Sequence, residues 1–187
     1  MSAMRPAILA GAMLALAACG SEPEEASLEE TPARQAIEAN AVRLSGEGLA
    51  VGGEAFFFNA GRNEVETALA KVLGEPSRSD TNTECGAGPI DFTDFDGGLT
   101  LHFQEAALVG WNWHLPYEGD APTAENVALA GGETLGASRA SVEGREGFVL
   151  VEGSTLGEEF VLASGVGGFI EEGEVAMLHA GTQCFLR

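Results

Sequence analysis

Residues 99–115 read LTLHFQEAALVGWNWHL, and this stretch determines the fold class. Large apolar side chains alternate with polar or small ones on both sides of Glu105 and Ala106. A period of two is typical of β-strands that bury one face. We therefore predict two antiparallel strands joined by a turn at Glu105 and Ala106. The side chains that should point inward along the second strand are Val109, Trp111, Trp113 and Leu115.

An amphipathic helix is predicted upstream of these strands. Val65, Leu69 and Val72 recur at helical spacing, so they share one face. Asn63 is expected to cap the N-terminus in a variant of the capping box with Glu66. Gly74 and Pro76 are expected to end the helix. Its apolar face needs an apolar partner, which we predict to be the sheet built by the strands that follow.

The pattern of a helix followed by strands occurs twice in the chain. The segment 135–142, LGASRASV, is similar to 59–65, NAGRNEV: each has a glycine, a capping residue and a short amphipathic turn. Strand-like runs follow both segments. We predict an α+β fold in which short helices pack on one face of antiparallel sheets. The two loose helix-plus-meander repeats are expected at about 55–116 and 132–187.

These elements resemble a known kind of domain. The segments 61–65 and 73–76, followed by 99–103 and 109–111, resemble small bacterial lipoprotein domains of the SmpA/OmlA type. They also look like the tandem repeats of the β-lactamase-inhibitor-protein fold. The resemblance covers about 56–115 and, more loosely, 133–185. It implies that an exposed sheet face or loop binds another protein and that the domain is not an enzyme, but it carries over no binding residues.

The N-terminal residues predict export and lipid attachment. Residues 1–18 combine a positive charge at Arg5 with an uncharged apolar run that is too short to span a bilayer, as in a signal peptide. Leu16-Ala17-Ala18-Cys19 resembles the lipobox of bacterial lipoproteins, which implies cleavage before Cys19 and acylation of that residue. Two or more acyl chains anchor a protein stably. The alternative is an exported soluble protein cleaved after Ala18.

The same resemblance predicts where the chain resides. Gly20 is not the aspartate that retains such lipoproteins in the inner membrane, so we expect the outer membrane, facing the periplasm. Residues 19–31 are rich in Glu, Ser and Pro and are predicted to be a disordered acidic tether. Residues 32–187 are predicted to form the globular domain.

The charge of the chain excludes one class of partner. Asp and Glu number 29 and Lys and Arg number 9, which gives a formal net charge of −20. Such a surface repels nucleic acid and anionic lipid headgroups and attracts cations or a basic protein surface. We therefore expect no nucleic-acid partner. A simple role of the acidity in solubility is the alternative.

Cys85 and Cys184 remain once Cys19 is assigned to lipid. Because the periplasm is oxidising, we predict a disulfide between them. A reactive or metal-binding thiol is the alternative. Such a site needs histidine or acidic neighbours at a defined spacing, and the residues beside both cysteines offer few of these.

The remaining chemistry-bearing residues suggest weak sites only. His102 and His114 are predicted on the polar faces of neighbouring strands, where they could bind a metal or act as acid and base with Asp91 or Glu105. No HExxH motif supports this, and exposed strand histidines are the alternative. Asp91, Asp94 and Asp96 do not fit the register of an EF-hand loop, which leaves an irregular calcium site or a solvated strand edge as the alternatives.

No catalytic motif and no cofactor is predicted from the sequence. A G-x-S-x-G motif is absent, and the glycines at 165–168 lack the Lys-Ser/Thr continuation of a phosphate loop. We therefore expect a non-enzymatic protein-interaction module, either an assembly accessory or an inhibitor, with another envelope protein as its partner. The alternative is an envelope hydrolase or metal-dependent enzyme that uses His102, His114 and nearby carboxylates.

Overall fold

The strands predicted in 99–115 form the centre of an eight-stranded antiparallel sheet. The computed structural model describes residues 39–117 and 122–185. The predicted signal peptide 1–18 and the predicted tether 19–31, which includes Cys19, lie outside the described residues. Within the described residues, no helix has the length and apolar character that crossing a lipid bilayer requires.

Two helices and twelve strands make up the described part of the chain. The helices are α1 (Arg62–Leu73) and α2 (Arg139–Glu143). The strands are β1 (Val42–Ser45), β2 (Gly48–Val51), β3 (Glu54–Phe57), β4 (Arg78–Asn82), β5 (Ile90–Phe95), β6 (Leu99–Gln104), β7 (Ala107–His114), β8 (Val127–Leu129), β9 (Val149–Leu150), β10 (Glu158–Val161), β11 (Gly167–Glu171) and β12 (Glu174–Gly181).

The strands form two sheets. The smaller sheet has the order β3-β2-β1-β8, and β8 lies parallel to β1. The larger sheet has the order β4-β5-β6-β7-β12-β11-β10-β9, and all its neighbours are antiparallel. The α+β fold with sheets dominated by antiparallel pairs is confirmed.

The larger sheet consists of two four-stranded meanders joined at β7 and β12, and each meander follows a helix. The N-cap residue of each helix bridges the first residue of the fourth strand: Gly61 pairs with Ala107 and Ser138 with Glu174. A β-bulge follows His102 in the first half and Phe169 in the second. The topology therefore repeats the helix-plus-meander unit, as predicted.

An arginine holds the start of each helix to its meander. Arg62 contacts Glu66 one turn later, at 2.8 Å, and Asp91 on β5, at 3.4 Å. In the second half Arg139 contacts Glu143 one turn later and Glu158 on β10. Asp91 and Glu158 occupy equivalent positions, because they pair with Phe103 and Ile170 beside the two bulges.

The core lies between the larger sheet and the other elements. The helices, the smaller sheet and one face of the larger sheet contribute to a single apolar cluster. We call this face of the larger sheet the inner face; it carries Leu101, Trp111 and Leu178. The Trp111 indole donates to the carbonyl of Ser45 at 2.9 Å, which connects the two sheets. Both tryptophans are buried, so they form no exposed stacking platform.

Two local predictions were wrong. Helix α1 begins after Gly61, and Asn63 lies inside its first turn, with no side-chain capping bond at the N-terminus. The bulge after His102 pairs Phe103 with Leu108 and leaves Val109 as the extra residue. The alternation shifts there by one residue, so Leu108 is buried and Val109 is only partly buried.

Candidate functional site

The second face of the larger sheet, which we call the outer face, has no helix packed on it among the described residues. Its side chains alternate with those of the inner face. One row crosses all eight strands in register: Arg78, Asp94, Thr100, Asn112, His179, Gly167, Val161 and Val149. Most of these side chains are polar and partly exposed. The row is therefore a mainly polar surface that becomes apolar at the β9 end.

His102 is buried at the centre of the outer face. Its Nδ1 lies 3.0 Å from the carbonyl oxygen of Thr182, and its Nε2 lies 3.3 Å from the amide nitrogen of Asn112. A carbonyl only accepts, so Nδ1 carries the proton and Nε2 accepts from Asn112. The Asn112 contact favours the neutral ring, because a protonated Nε2 could not accept a hydrogen bond. Burial lowers the pKa of His102, against opposing effects of the Thr182 hydrogen bond and the charge of Asp94.

We expect the protein to lose stability as the pH falls below about 6.5. The folded-state pKa of His102 is below its ordinary value of 6.5, so the unfolded chain binds the proton more strongly. Neutral His102 stabilises the folded state fully at pH values above its unfolded-state pKa. As the pH falls below that value, this stabilisation is lost by up to about 1.4 kcal/mol per pH unit. Thermal melts between pH 7 and pH 5 measure this loss.

The matched variants for this prediction are His102→Phe and His114→Phe. Phenylalanine occupies the equivalent position in the second half, at Phe169. His102→Phe should flatten the dependence of the melting temperature on pH, whereas His114→Phe should retain it. An unchanged slope in His102→Phe would assign the pH dependence to other groups.

His114 lies at another part of the outer face. Its Nδ1 is 2.7 Å from the carbonyl oxygen of Leu115, and its ring packs at a tilt against that of Tyr117, with centroids 4.9 Å apart. It lines a shallow cavity of about 380 Å³ together with Arg78, Asp94 and Tyr117. The cavity extends the polar row towards the turn between β5 and β6.

The structure does not bring the candidate metal residues together. His102 pairs with Gly110, and His114 is four residues farther along β7, which is about 13 Å of strand. Asp91 faces the inner side, where it contacts Arg62 and accepts from the hydroxyl of Thr81 at 2.6 Å. Glu105 is exposed in the hairpin turn. Among the described side chains, no three possible ligands are close enough to hold one metal ion.

The two cysteines are in contact, as the disulfide prediction requires. Both are thiols in this structure, and the thiol of Cys184 is hydrogen-bonded to that of Cys85. Asn82 also donates to the Cys184 sulfur, at 3.2 Å. Burial, followed by the hydrogen bond and the charge of Cys85, raises the pKa of Cys184 to about 11. The bridge itself stays a prediction.

The segment that carries Cys184 covers one end of the outer face. Besides the contact of Thr182 with His102, Gln183 donates to the carbonyls of Trp111 and Ala180. Phe185 packs edge-on against Phe169 and His179, with centroids 5.2 Å away in both cases. A strand-like run is predicted from the sequence at 183–186, whereas the described residues up to Phe185 form no ladder there. No pattern in the sequence indicated that this segment would lie over the outer face.

Comparisons with known protein families, with curated proteins and with solved structures give no match. The resemblance to SmpA/OmlA-type domains and to the β-lactamase-inhibitor-protein fold stays a prediction from the segments quoted above.

Proposed function

We propose that this protein is a lipid-anchored, non-enzymatic protein-binding module of a bacterial envelope. Lipid on Cys19 holds it at a membrane, with the outer membrane facing the periplasm as its location. The outer face of the larger sheet binds another envelope protein, and the module acts as an assembly accessory or an inhibitor. Its acidity disfavours nucleic acid as a partner.

The observation that carries this proposal is the uncovered outer face. Both described helices and the smaller sheet pack on the inner face, so the outer face has no covering layer apart from residues 182–185, which lie over one end of it. Its polar row needs no cover for stability, because Thr100 is bonded to Asp94, at 2.7 Å, and Asn112 to His102. Such a surface is already ordered before a partner arrives, which reduces the entropy lost on binding.

The enzyme alternative has less support. An acid and a base that act on one substrate must both lie within hydrogen-bond reach of it. His102 is already bonded at both ring nitrogens, and His114 contacts Leu115 and Tyr117 well away along β7. With these contacts in place, the two histidines do not face a common space in which one substrate could reach both of them.

The experiment places a photo-crosslinking amino acid on the outer face in living cells. Thr100 and Met177 are suitable positions, since both are partly exposed on that face. Lys71, exposed on α1, is the control position. We expect a discrete crosslinked envelope protein from the outer-face positions and none from Lys71. Equal background at all three positions would contradict the proposal.

The anchor is tested in the same cells. Cys19→Ser removes the thiol that would carry the lipid, so labelled palmitate should no longer enter the protein, and the protein should leave the membrane fraction. Ala18→Gly, which keeps the cysteine and a small residue before it, is the control and should remain labelled. Palmitate incorporation into Cys19→Ser would overturn the assignment.

A further inference from the structure

The edge of the larger sheet at β9 is exposed and apolar. Among the described residues, five large apolar side chains are exposed, and three of them belong to β9 and β10: Val149 is 57 % exposed, Leu150 37 % and Val161 41 %. Val149 lies directly opposite Val161 in the ladder. The side chains of Val149 and Val161 therefore form one apolar strip on the outer face at this edge, whereas Leu150 pairs with the buried Phe160 and lies on the inner face.

The opposite edge of the same sheet is built differently. β4 is the equivalent strand of the first half, and its sequence RSDTN is entirely polar. Arg78 pairs with Asp94 in the first half as Val149 pairs with Val161 in the second half. Arg78 and Val149 therefore occupy equivalent positions on the two edge strands. Its guanidinium lies over the ring of Phe92, 4.7 Å from the centroid. Charged and polar residues on an edge strand prevent pairing with other chains. The β4 edge has this protection in its side chains, whereas β9 is apolar and is limited only by its length of two residues.

The backbone of β9 is suited to receive another strand. The amide of Val151 donates to the carbonyl of Glu159, at 2.8 Å, and this single bond marks a bonded position of the ladder, while the amide of Glu159 donates to the carbonyl of Gly157, at 3.0 Å. Bonded and non-bonded pairs alternate along an antiparallel ladder. Leu150, the next residue, is therefore in a non-bonded pair, and its amide and carbonyl point away from β10.

The charges beside β9 indicate which kind of strand would bind there. Glu146 and Glu152 flank β9 and are exposed. The nearby arginines are already paired, Arg139 with Glu143 and Glu158, and Arg145 with Glu133. A second copy of this chain, with a net charge of −20, would bring further carboxylates to the same edge. A basic segment would instead find uncompensated negative charge on both sides of the apolar strip.

We propose that the β9 edge binds an extended, basic segment of a partner protein by strand addition. The segment pairs with the backbone of Leu150, places apolar side chains over Val149 and Val161, and directs Lys or Arg towards Glu146 and Glu152. This mode combines affinity from main-chain bonds with specificity from alternate side chains. The inference rests on the proposed protein-binding function and specifies the chemistry of the partner.

The test uses the full chain in a non-ionic detergent and a fluorescent synthetic peptide in which valine alternates with lysine and threonine. We expect saturable binding, measured by anisotropy, that weakens with salt. Val149→Lys should weaken it at least about tenfold, because the new charge repels the peptide and removes apolar surface. Phe57→Lys is the matched control, since Phe57 is 62 % exposed on β3, an edge strand of the other sheet. Its binding should be unchanged.

A second peptide carries N-methyl groups on alternate backbone nitrogens and keeps the same side chains. Loss of binding with this peptide supports strand addition, and undiminished binding overturns it. Equal affinities of Val149→Lys and the unaltered chain would also overturn the proposal. So would self-association of the chain that Val149→Lys abolishes, since a second copy would then be the occupant. Failure of peptide binding while Thr100 and Met177 still crosslink in cells would refute the β9 inference alone.

Discussion

Replacing Trp111 with alanine is expected to lower the free energy of unfolding by about 3–5 kcal/mol. The side chain is fully buried in the core between the two sheets. Its removal leaves a cavity and also leaves the Ser45 carbonyl without its indole donor. Because small domains are stable by only about 5–15 kcal/mol, the loss is a large share of the total. Urea unfolding followed by circular dichroism measures it.

Two variants separate the parts of this effect. Trp111→Phe keeps most of the apolar volume and removes the donor to Ser45, so we expect a smaller loss than with alanine. Phe57→Ala removes an exposed ring and should change stability by no more than about 0.5 kcal/mol. If Trp111→Ala were no worse than Phe57→Ala, the contact between the sheets would not contribute as described.

Reduction of the predicted Cys85–Cys184 bridge is expected to lower stability by about 4–5 kcal/mol, before any strain in the bridge is subtracted. The bridge closes a loop of about 100 residues, and the chain-entropy estimate grows with loop length. It also fixes the segment after β12 over the outer face. Thermal melts of the untreated and the reduced protein measure the difference, and free-thiol titration measures the extent of oxidation.

The high pKa of Cys184 affects how the bridge forms. With a pKa of about 11, little of its thiolate exists at neutral pH, and the thiolate is the reactive species. Attack by the Cys184 sulfur on an oxidant should therefore be slow at neutral pH and faster as the pH rises. Cys85→Ser and Cys184→Ser are the controls, and each should melt like the reduced protein. If the fully oxidised and the reduced proteins melted together, the stabilising role of the bridge would be refuted.

The central strands, the end of α1 and the burial of both tryptophans could be predicted from sequence. Each depends on local periodicity or on Gly74, whose positive φ of 89° after Leu73 is a conformation that glycine adopts readily. The hairpin turn at Glu105 and Ala106 was also predicted. Both residues have positive φ, the backbone of a two-residue turn that matches the twist of its strands.

The rest depends on tertiary contacts that no local pattern encodes. β4 is polar throughout, yet it forms a strand because β5 pairs with it and Thr81 bonds to Asp91. β8 has three residues, and only its pairing with β1 makes it a strand. The burial of His102 follows from Thr182, far away in the chain. The alternation of residues predicted the polar positions of the outer face. The contact between the two cysteines was predicted because two cysteines remain after Cys19 and because the periplasm is oxidising.

The parallel pairing of β1 with β8 has a kinetic consequence. Most ladders in the larger sheet join neighbours in sequence and can form early, whereas Val42 meets Val127 and Trp113 meets Leu178 across long stretches of chain. Loop-closure entropy must be overcome before such contacts add stability, so topologies of this kind fold slowly. We expect each meander to collapse first, and docking of the N-terminal hairpin onto the connection between the halves to set the refolding rate.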